Sequence, residues 1–322
     1  MIIAIFINYG LSIIYFDMEF KNRDILSIND FSKEELLHIL KVVKQMEQSP
    51  KNNLLKGKIL GALFFEPSTR TRLSFTSAME QLSGQVLGFS TADVTSVQKG
   101  ESLWDTIKMV ERYVDVIAIR HPIEGSARLA AEAASVPVLN AGDGSNQHPT
   151  QTIIDMYTIQ KLKGRIDNLH VGFVGDLKYG RTVHSLAIAM SHFSPTFYFI
   201  APDGLQMPEG YLDELYQKKV KYFKTSDLAR FSKEIDVLYV TRIQKERFLD
   251  PLEYEKFKGI YTIDDAFLQH VKKDLKIMHP LPRVGEIDKS VDNTPHAAYF
   301  EQAANGIPVR KALLSLVLGK IK

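Results

Sequence analysis

Cysteine is absent from all 322 residues, and tryptophan occurs once. The first absence excludes disulfides, thiolate catalysis, thiolate-bound zinc and iron–sulfur clusters. It also fits a reducing compartment, so a cytoplasmic location is expected. An excess of either charge is lacking too: 40 Lys and Arg stand against 38 Asp and Glu, a formal net charge of +2. Nucleic-acid binders usually carry a marked basic excess or a basic run, and no nucleic-acid partner is expected here. The dinucleotide fingerprint G-x-G-x-x-G and the zinc motif H-E-x-x-H do not occur. No histidine cluster has zinc-ligand spacing, so neither a metal nor another cofactor is expected. There is also no repeat and no low-complexity segment.

What is present is ordinary globular material. Hydrophobic residues make up 45% and charged residues 24%, and at roughly 150 residues per domain the length suggests two domains. One stretch departs from this. Residues 1–17 begin with MIIAIFINYGLSIIYF, mostly apolar and uncharged. The stretch is too short for a typical membrane span of about 20 residues and lacks the basic start of a secretory signal. Two readings of it stay open: an upstream start with Met18 as the native one, or an additional N-terminal strand. A membrane anchor fits less well.

From residue 30 onward, helical and strand-like patterns alternate. Ser32 with Glu35 forms a capping box ahead of the helical run Leu36–Met46. Apolar strands are expected at Ile59–Phe65, Gln85–Phe89, Val114–Ile119 and Val136–Leu139, separated by helices at Ser68–Leu82, Leu103–Tyr113 and Ala127–Ala134. After a helix at Pro149–Lys163 the pattern restarts with strand His170–Gly175, helix Arg181–Met190 and strand Phe197–Ala201. Asp213–Lys219, Asp236–Thr241 and Lys276–His279 continue it. Such alternation of nearly continuous apolar strands with helices implies an α/β fold of two doubly wound parallel-sheet domains, joined near residues 150–165. A final apolar helix at Val309–Leu318 can pack against either half.

Three segments could carry chemistry. In Phe64-Phe65-Glu66-Pro67-Ser68-Thr69-Arg70-Thr71-Arg72 a buried strand ends and a hydroxyl-rich turn opens a helix. Free N–H groups at a helix start, several hydroxyls and a guanidinium suit phosphate; a plain N-cap would need one hydroxyl. Gly175-Asp176-Leu177-Lys178-Tyr179-Gly180-Arg181-Thr182 nearly matches the P-loop, but Arg181 stands where its lysine should be. What survives is an arginine at the mouth of the second sheet, where α/β proteins bind ligands. Of nine histidines, His121, His148 and His279 precede proline, which restricts their backbone to extended conformations. His148 lies in the polar, glycine-rich stretch Asn140–Gln151, read as a functional loop. Taken alone, Thr95–Glu101 reads as a solvated turn or a mobile lid, and Thr241–Arg247 as a charged surface face.

Together, Phe64–Phe75 (FFEPSTRTRLSF), Ser96–Leu103, Ile119–Pro122, Asn140–Thr152, Val174–Ser185, Thr241–Arg247 and His279–Arg283 (HPLPR) closely resemble the aspartate carbamoyltransferase catalytic chains. The likeness runs from about Met18 to the C-terminus and leaves residues 1–17 unexplained. It implies a carbamoyl-phosphate domain over residues 18–150 with the helix of 306–322 packed back on it, and an aspartate domain over residues 151–305. The reaction it implies moves the carbamoyl group of carbamoyl phosphate to the amine of L-aspartate, the committed step of pyrimidine synthesis.

By that resemblance, Ser68, Thr69, Arg70 and Thr71 hold the phosphate and Arg120 adds charge. His148, Thr71 and Arg120 polarise the carbamoyl oxygen, and Gln151 holds the carbamoyl NH2. Arg181 and Arg242 take the carboxylates of aspartate with help from Gln244. The carbonyls of Leu281 and Pro282 face the amino groups across a cis peptide. Glu66 pairs with Arg181 and Arg247 when both substrates are bound. A homotrimer with shared sites is implied, Ser96 and Lys99 entering the neighbouring subunit's site, and the resemblance leaves room for a separate regulatory chain. Arg70, Lys99, Arg120, Arg181 and Arg242 would then meet two dianionic substrates, and bidentate arginine suits phosphate and carboxylate. The rival within the resemblance is the ornithine enzyme, which has His-Cys-Leu-Pro where this chain has His279-Pro280-Leu281-Pro282 and whose cationic substrate Arg181 and Arg242 would repel.

Overall fold

The computed structural model describes residues 19–48, 52–245, 248 and 250–322. The apolar stretch 1–17 and Arg247 lie outside the described residues. The first sheet contains β1 (Ile59–Phe64), β2 (Gln85–Phe89), β3 (Val116–His121) and β4 (Val138–Asp143), all parallel, in the order β2-β1-β3-β4. The second contains β5 (His170–Val174), β6 (Thr196–Ile200), β7 (Lys221–Thr225), β8 (Val237–Val240) and β9 (Lys276–Met278), also parallel, in the order β7-β6-β5-β8-β9. Central strands are apolar throughout because helices cover both faces: Leu60, Val116, Ile117, Val171, Phe173, Val237 and Leu238 are fully buried.

The helices follow from local signals. Helix α1 (Lys33–Gln48) starts at the expected capping box, with the Ser32 hydroxyl accepting from Glu35 N–H at 3.2 Å and the Glu35 carboxylate accepting from Ser32 N–H at 2.8 Å. Helices α2 (Thr69–Gln81), α3 (Leu103–Val110) and α4 (Ser126–Ala133) fill the crossovers of the first sheet. The long α5 (Pro149–Lys163) leads into the second sheet, where α6 (Arg181–Met190) and α7 (Glu209–Gln217) follow β5 and β6. Short helices α8 (Pro251–Phe257), α9 (Asp265–Leu268) and α10 (Tyr299–Ala304) precede the last helix, α11 (Gly306–Val317). Helix α11 packs against α1, α2 and α5.

In each sheet the strand order reverses once, between β1 and β3 in the first and between β5 and β8 in the second. Ligands of open α/β sheets bind beyond the carboxyl ends of strands at such a reversal. Those ends are the turn after Phe64, Arg120, the turn after Val174, and Thr241-Arg242.

Two local expectations need correction. The strand expected to stop at Leu139 runs on to Asp143, so Asn140–Asp143 is strand rather than loop. Its polar side chains are buried but satisfied, Asn140 Nδ2 donating to Leu26 O at 2.9 Å and to Asp143 Oδ1 at 2.8 Å. The edge strand β7 has no counterpart among the expected elements: its two lysines are exposed and its other residues half-buried, an edge guarded by charge.

Candidate active site

A cavity of about 660 Å³ lies between the two sheets. Its first wall is the turn after β1. Pro67 ends the strand and Ser68 takes the N-cap position of α2 with extended backbone, but its hydroxyl makes no capping bond. Hydroxyls of Ser68, Thr69 and Thr71, the Arg70 side chain and the free N–H groups at the start of α2 thus line one end of the cavity. A phosphate would meet all of them there.

Arg120, at the end of β3, reaches the same cavity. Its Nη1 donates to the Ala141 carbonyl at 3.3 Å and its Nη2 lies 2.7 Å from Glu66 Oε1. Arg181, first residue of α6, approaches from the other sheet: it donates to the Gly144 carbonyl and stands 3.7 Å from the same Glu66 oxygen. Both guanidiniums lie over Gly142. A Cβ there would sit 2.9 Å from Arg120 Nη1 and 3.1 Å from Arg181 Nη2, and the φ of +116° disfavours any other residue. Glycine is what lets two cations converge.

His148 caps α5 just before Pro149 and is buried. Burial pushes its pKa well below the usual range, and Arg181, Arg120 and Arg310 push the same way, so the ring is neutral. The Thr150 hydroxyl lies 3.4 Å from Nδ1. Assigning that nitrogen as acceptor leaves Nε2–H as the donor. One turn on, Gln151 lines the cavity with its amide nitrogen 2.8 Å from Asp155 Oδ1.

The second sheet supplies Arg242 and Gln244 just past β8. Gln244 Nε2 donates to Tyr179 O at 3.1 Å, and its backbone N–H points at Asp176 Oδ2, 3.4 Å away. The turn that resembled a P-loop is therefore bound to the neighbouring strand end instead of open to a phosphate chain. Gly175 enforces this: a Cβ there would lie 2.2 Å from the Thr241 carbonyl. The Leu281–Pro282 peptide, after β9, is cis and lines the cavity. His279 holds this loop from behind. Its Nδ1 accepts from Leu281 N–H at 2.8 Å and its Nε2 faces Glu286 Oε1 at 2.7 Å, so a neutral ring donates to Glu286. Burial pushes His279 down, and that donated bond helps hold Glu286 at about 2.

The sequence-derived residues Ser68, Thr69, Arg70, Thr71, Arg120, His148, Gln151, Arg181, Arg242, Gln244, Leu281 and Pro282 thus line one cavity. Ser96 and Lys99 do not. They lie on an exposed 3-10 turn (Ser96–Lys99), and Ser96 lines a separate hollow with Leu87, Met109 and Tyr113. His121 stays outside as well, its Nδ1 accepting from Ile123 N–H at 3.1 Å. One cavity residue went unread: Arg310, on α11. It is 2% exposed, lies 4.7 Å over the Phe75 ring, and burial pushes its pKa down to about 9. The available signal was the pair Arg310-Lys311 inside a largely apolar helix. Five arginines, at 70, 120, 181, 242 and 310, therefore line the cavity. Among the described residues, no group of three or more His, Cys, Asp or Glu is placed to hold a metal ion.

Comparison with known proteins places the same residues in a wider frame. Residues 23–161 match the model for the aspartate/ornithine carbamoyltransferase carbamoyl-P binding domain, and residues 167–317 match that for the Asp/Orn binding domain. The chain is 59% identical to the aspartate carbamoyltransferase catalytic subunit of Thermococcus onnurineus, over 95% of this chain and 100% of that one. It is 51% identical to the corresponding subunit of Bacteroides thetaiotaomicron, over 93% and 96%. Among solved structures, the catalytic subunit of M. jannaschii aspartate transcarbamoylase superposes with a TM-score of 0.86 at 51% identity, over 92% and 98%. The Trypanosoma cruzi aspartate transcarbamoylase in complex with N-(phosphonacetyl)-L-aspartic acid gives 0.87 at 39% identity, over 93% and 97%.

Proposed function

The chain belongs to the aspartate/ornithine carbamoyltransferase family, and from that premise we propose that it transfers the carbamoyl group of carbamoyl phosphate to the amine of L-aspartate. The observation that carries this reading is the convergence, in one cavity, of a helix-start anion turn from one sheet and Arg181 with Arg242 from the other. Both substrates are dianions, and a cationic co-substrate such as ornithine would be repelled by the second pair.

The geometry supports the following chemistry. Ser68, Thr69, Arg70 and Thr71 hold the phosphate, and Arg181, Arg242 and Gln244 hold the carboxylates of aspartate. This places the amine beside the carbamoyl carbon and turns a bimolecular step into a local one. A C–N bond forms as the C–O bond to phosphate breaks; phosphate departs with that electron pair and the amine sheds a proton. Charge grows on the carbamoyl oxygen meanwhile. Neutral His148, the Thr71 hydroxyl and Arg120 are donors for it, held in place before the reaction. Gln151 and the carbonyls of Leu281 and Pro282 receive the N–H groups. Products are N-carbamoyl-L-aspartate and phosphate, and the pathway served is pyrimidine synthesis.

Ser96 and Lys99 act in a neighbouring copy's site, which makes the working unit a homotrimer. Their exposed position away from their own chain's cavity supports this. A separate regulatory chain is compatible with the catalytic-subunit names of the relatives. No helix among the described residues is long and apolar enough to cross a membrane, and we place the protein in the cytoplasm. Residues 18–150 and 151–305 are the two substrate domains, with residues 306–322 returning to the first.

A carbamoyl-transfer assay offering aspartate and ornithine side by side tests the reaction: N-carbamoyl-L-aspartate should form, and carbamoylation of ornithine in preference would overturn the reading. Mixing inactive Lys99→Ala with inactive Arg70→Ala protein tests the shared site. Activity should return after subunit exchange, and none returns if sites are not shared.

A further inference from the structure

Behind the cavity sits a carboxylate with no role in the reaction as described. Asp155, on α5, is fully buried and faces three donors. Gln151 Nε2 lies 2.8 Å from its Oδ1, Gln302 Nε2 lies 2.7 Å from the same oxygen, and the Tyr239 hydroxyl lies 2.8 Å from Oδ2. These donors come from different elements: Gln151 from α5 itself, Tyr239 from the interior strand β8, and Gln302 from α10. Gln302 in turn accepts from His279 N–H at 2.8 Å, the residue whose ring fixes the backbone of Leu281. One carboxylate thus ties together the carbamoyl end of the cavity, the strand that delivers Arg242, and the cis loop.

Its chemical consequence lies in Gln151. An amide has a donor end and an acceptor end, and only neighbours decide which end faces the site. Because Asp155 accepts from the amide nitrogen, the Gln151 carbonyl oxygen is left for the cavity, where a carbamoyl NH2 needs an acceptor. We propose that Asp155 is a positioning residue for carbamoyl transfer, orienting Gln151 as the acceptor for the carbamoyl NH2 and locking that orientation to β8 and the cis loop. This rests on the carbamoyl-transfer reading above. An asparagine at 155 replaces one acceptor oxygen with an NH2, so either end of its amide can face Gln151 and the orientation of Gln151 is no longer fixed.

The test uses the assembled enzyme, starting from wild type, whose failure to make N-carbamoyl-L-aspartate would sink the reaction assignment rather than this role. With activity in hand, Asp155→Asn should raise the KM for carbamoyl phosphate about tenfold, the loss of roughly one hydrogen bond. Inhibition by inorganic phosphate, which fills only the Ser68–Thr71 end, should stay within twofold. In a Gln151→Ala background, Asp155→Asn should add less than twofold, because its path to the substrate is already cut. If Asp155→Asn fails to fold, Tyr239→Phe replaces it: removing one anchor of the carboxylate should raise the same KM about threefold, and not in the Gln151→Ala background. Equal weakening of phosphate inhibition and carbamoyl phosphate use, full additivity with Gln151→Ala, or an unchanged KM would each overturn the proposal.

Discussion

On the proposed reading, the two ends of the cavity each hold a dianion, by different means. At the first-sheet end the binding elements are contiguous: a single turn offers hydroxyls, a guanidinium and the N–H groups of a helix start within Ser68–Thr71. At the second-sheet end they are scattered. Arg181 begins α6, Arg242 follows β8, and each depends on neighbours for its place: Gly142 and Gly144 for Arg181, the Thr241–Gln244 turn for Arg242. The first design is redundant, since backbone N–H groups survive any side-chain change. The second has no such reserve.

That difference sets a ranking. On the proposed reading His148 serves the reacting oxygen between the two anion ends, so its removal should cost most: His148→Ala should lower kcat about 10²–10³-fold, the usual effect of one oxyanion donor. A loss under about threefold in steady-state assays would remove it from that role. Arg242→Ala comes next. Losing a hydrogen-bonded charge costs about 1.5–3 kcal/mol, so the KM for aspartate should rise roughly 10–100-fold, and unchanged aspartate saturation would contradict the assignment. Ser68→Ala should do least, raising the KM for carbamoyl phosphate only about threefold to tenfold. Because Ser68 makes no capping bond, its thermal midpoint should not move. A Ser68 effect as large as that of Arg242 would erase the contrast.

A further prediction concerns stability and pH, apart from the ranking of activities. Burial raises Asp155 to about 7, above its unfolded value of 3.8. The native state therefore holds this proton longer than the unfolded chain does. Stability from this group is complete below about pH 4 and is lost as pH rises through about 7. Over that window the wild type should lose, relative to Asp155→Asn, on the order of 4 kcal/mol at most. Urea unfolding of both proteins at pH 5 and 8 reads this directly. No relative loss between the two pH values would show that Asp155 stays ionised throughout.

The same contrast explains what could be read from sequence. The contiguous turn was legible because three hydroxyls and an arginine after a proline exceed what an N-cap requires. The alternation of apolar runs gave both parallel sheets. Arg181 and Arg242 were visible only as lone arginines at strand ends, ambiguous with surface charge until the resemblance joined them. Asn140–Asp143 read as loop because its polarity resembled one; the buried network that satisfies it is made by residues distant in sequence, including Leu26. Arg310 escaped for a similar reason: α11 brings it beneath α2 only once the C-terminus has folded back across the first sheet's helices. Asp155 sits in an unremarkable helical run, and its three donors become neighbours only in the folded chain.

The central claim is that a single cavity joins two anion-binding ends contributed by different sheets. Calorimetric titration with the bisubstrate N-(phosphonacetyl)-L-aspartate tests it most directly, comparing wild type, Arg70→Ala and Arg242→Ala. One molecule should bind per chain, and each substitution alone should weaken binding at least tenfold. Binding that survives either substitution unchanged, or two molecules bound per chain, would contradict the claim.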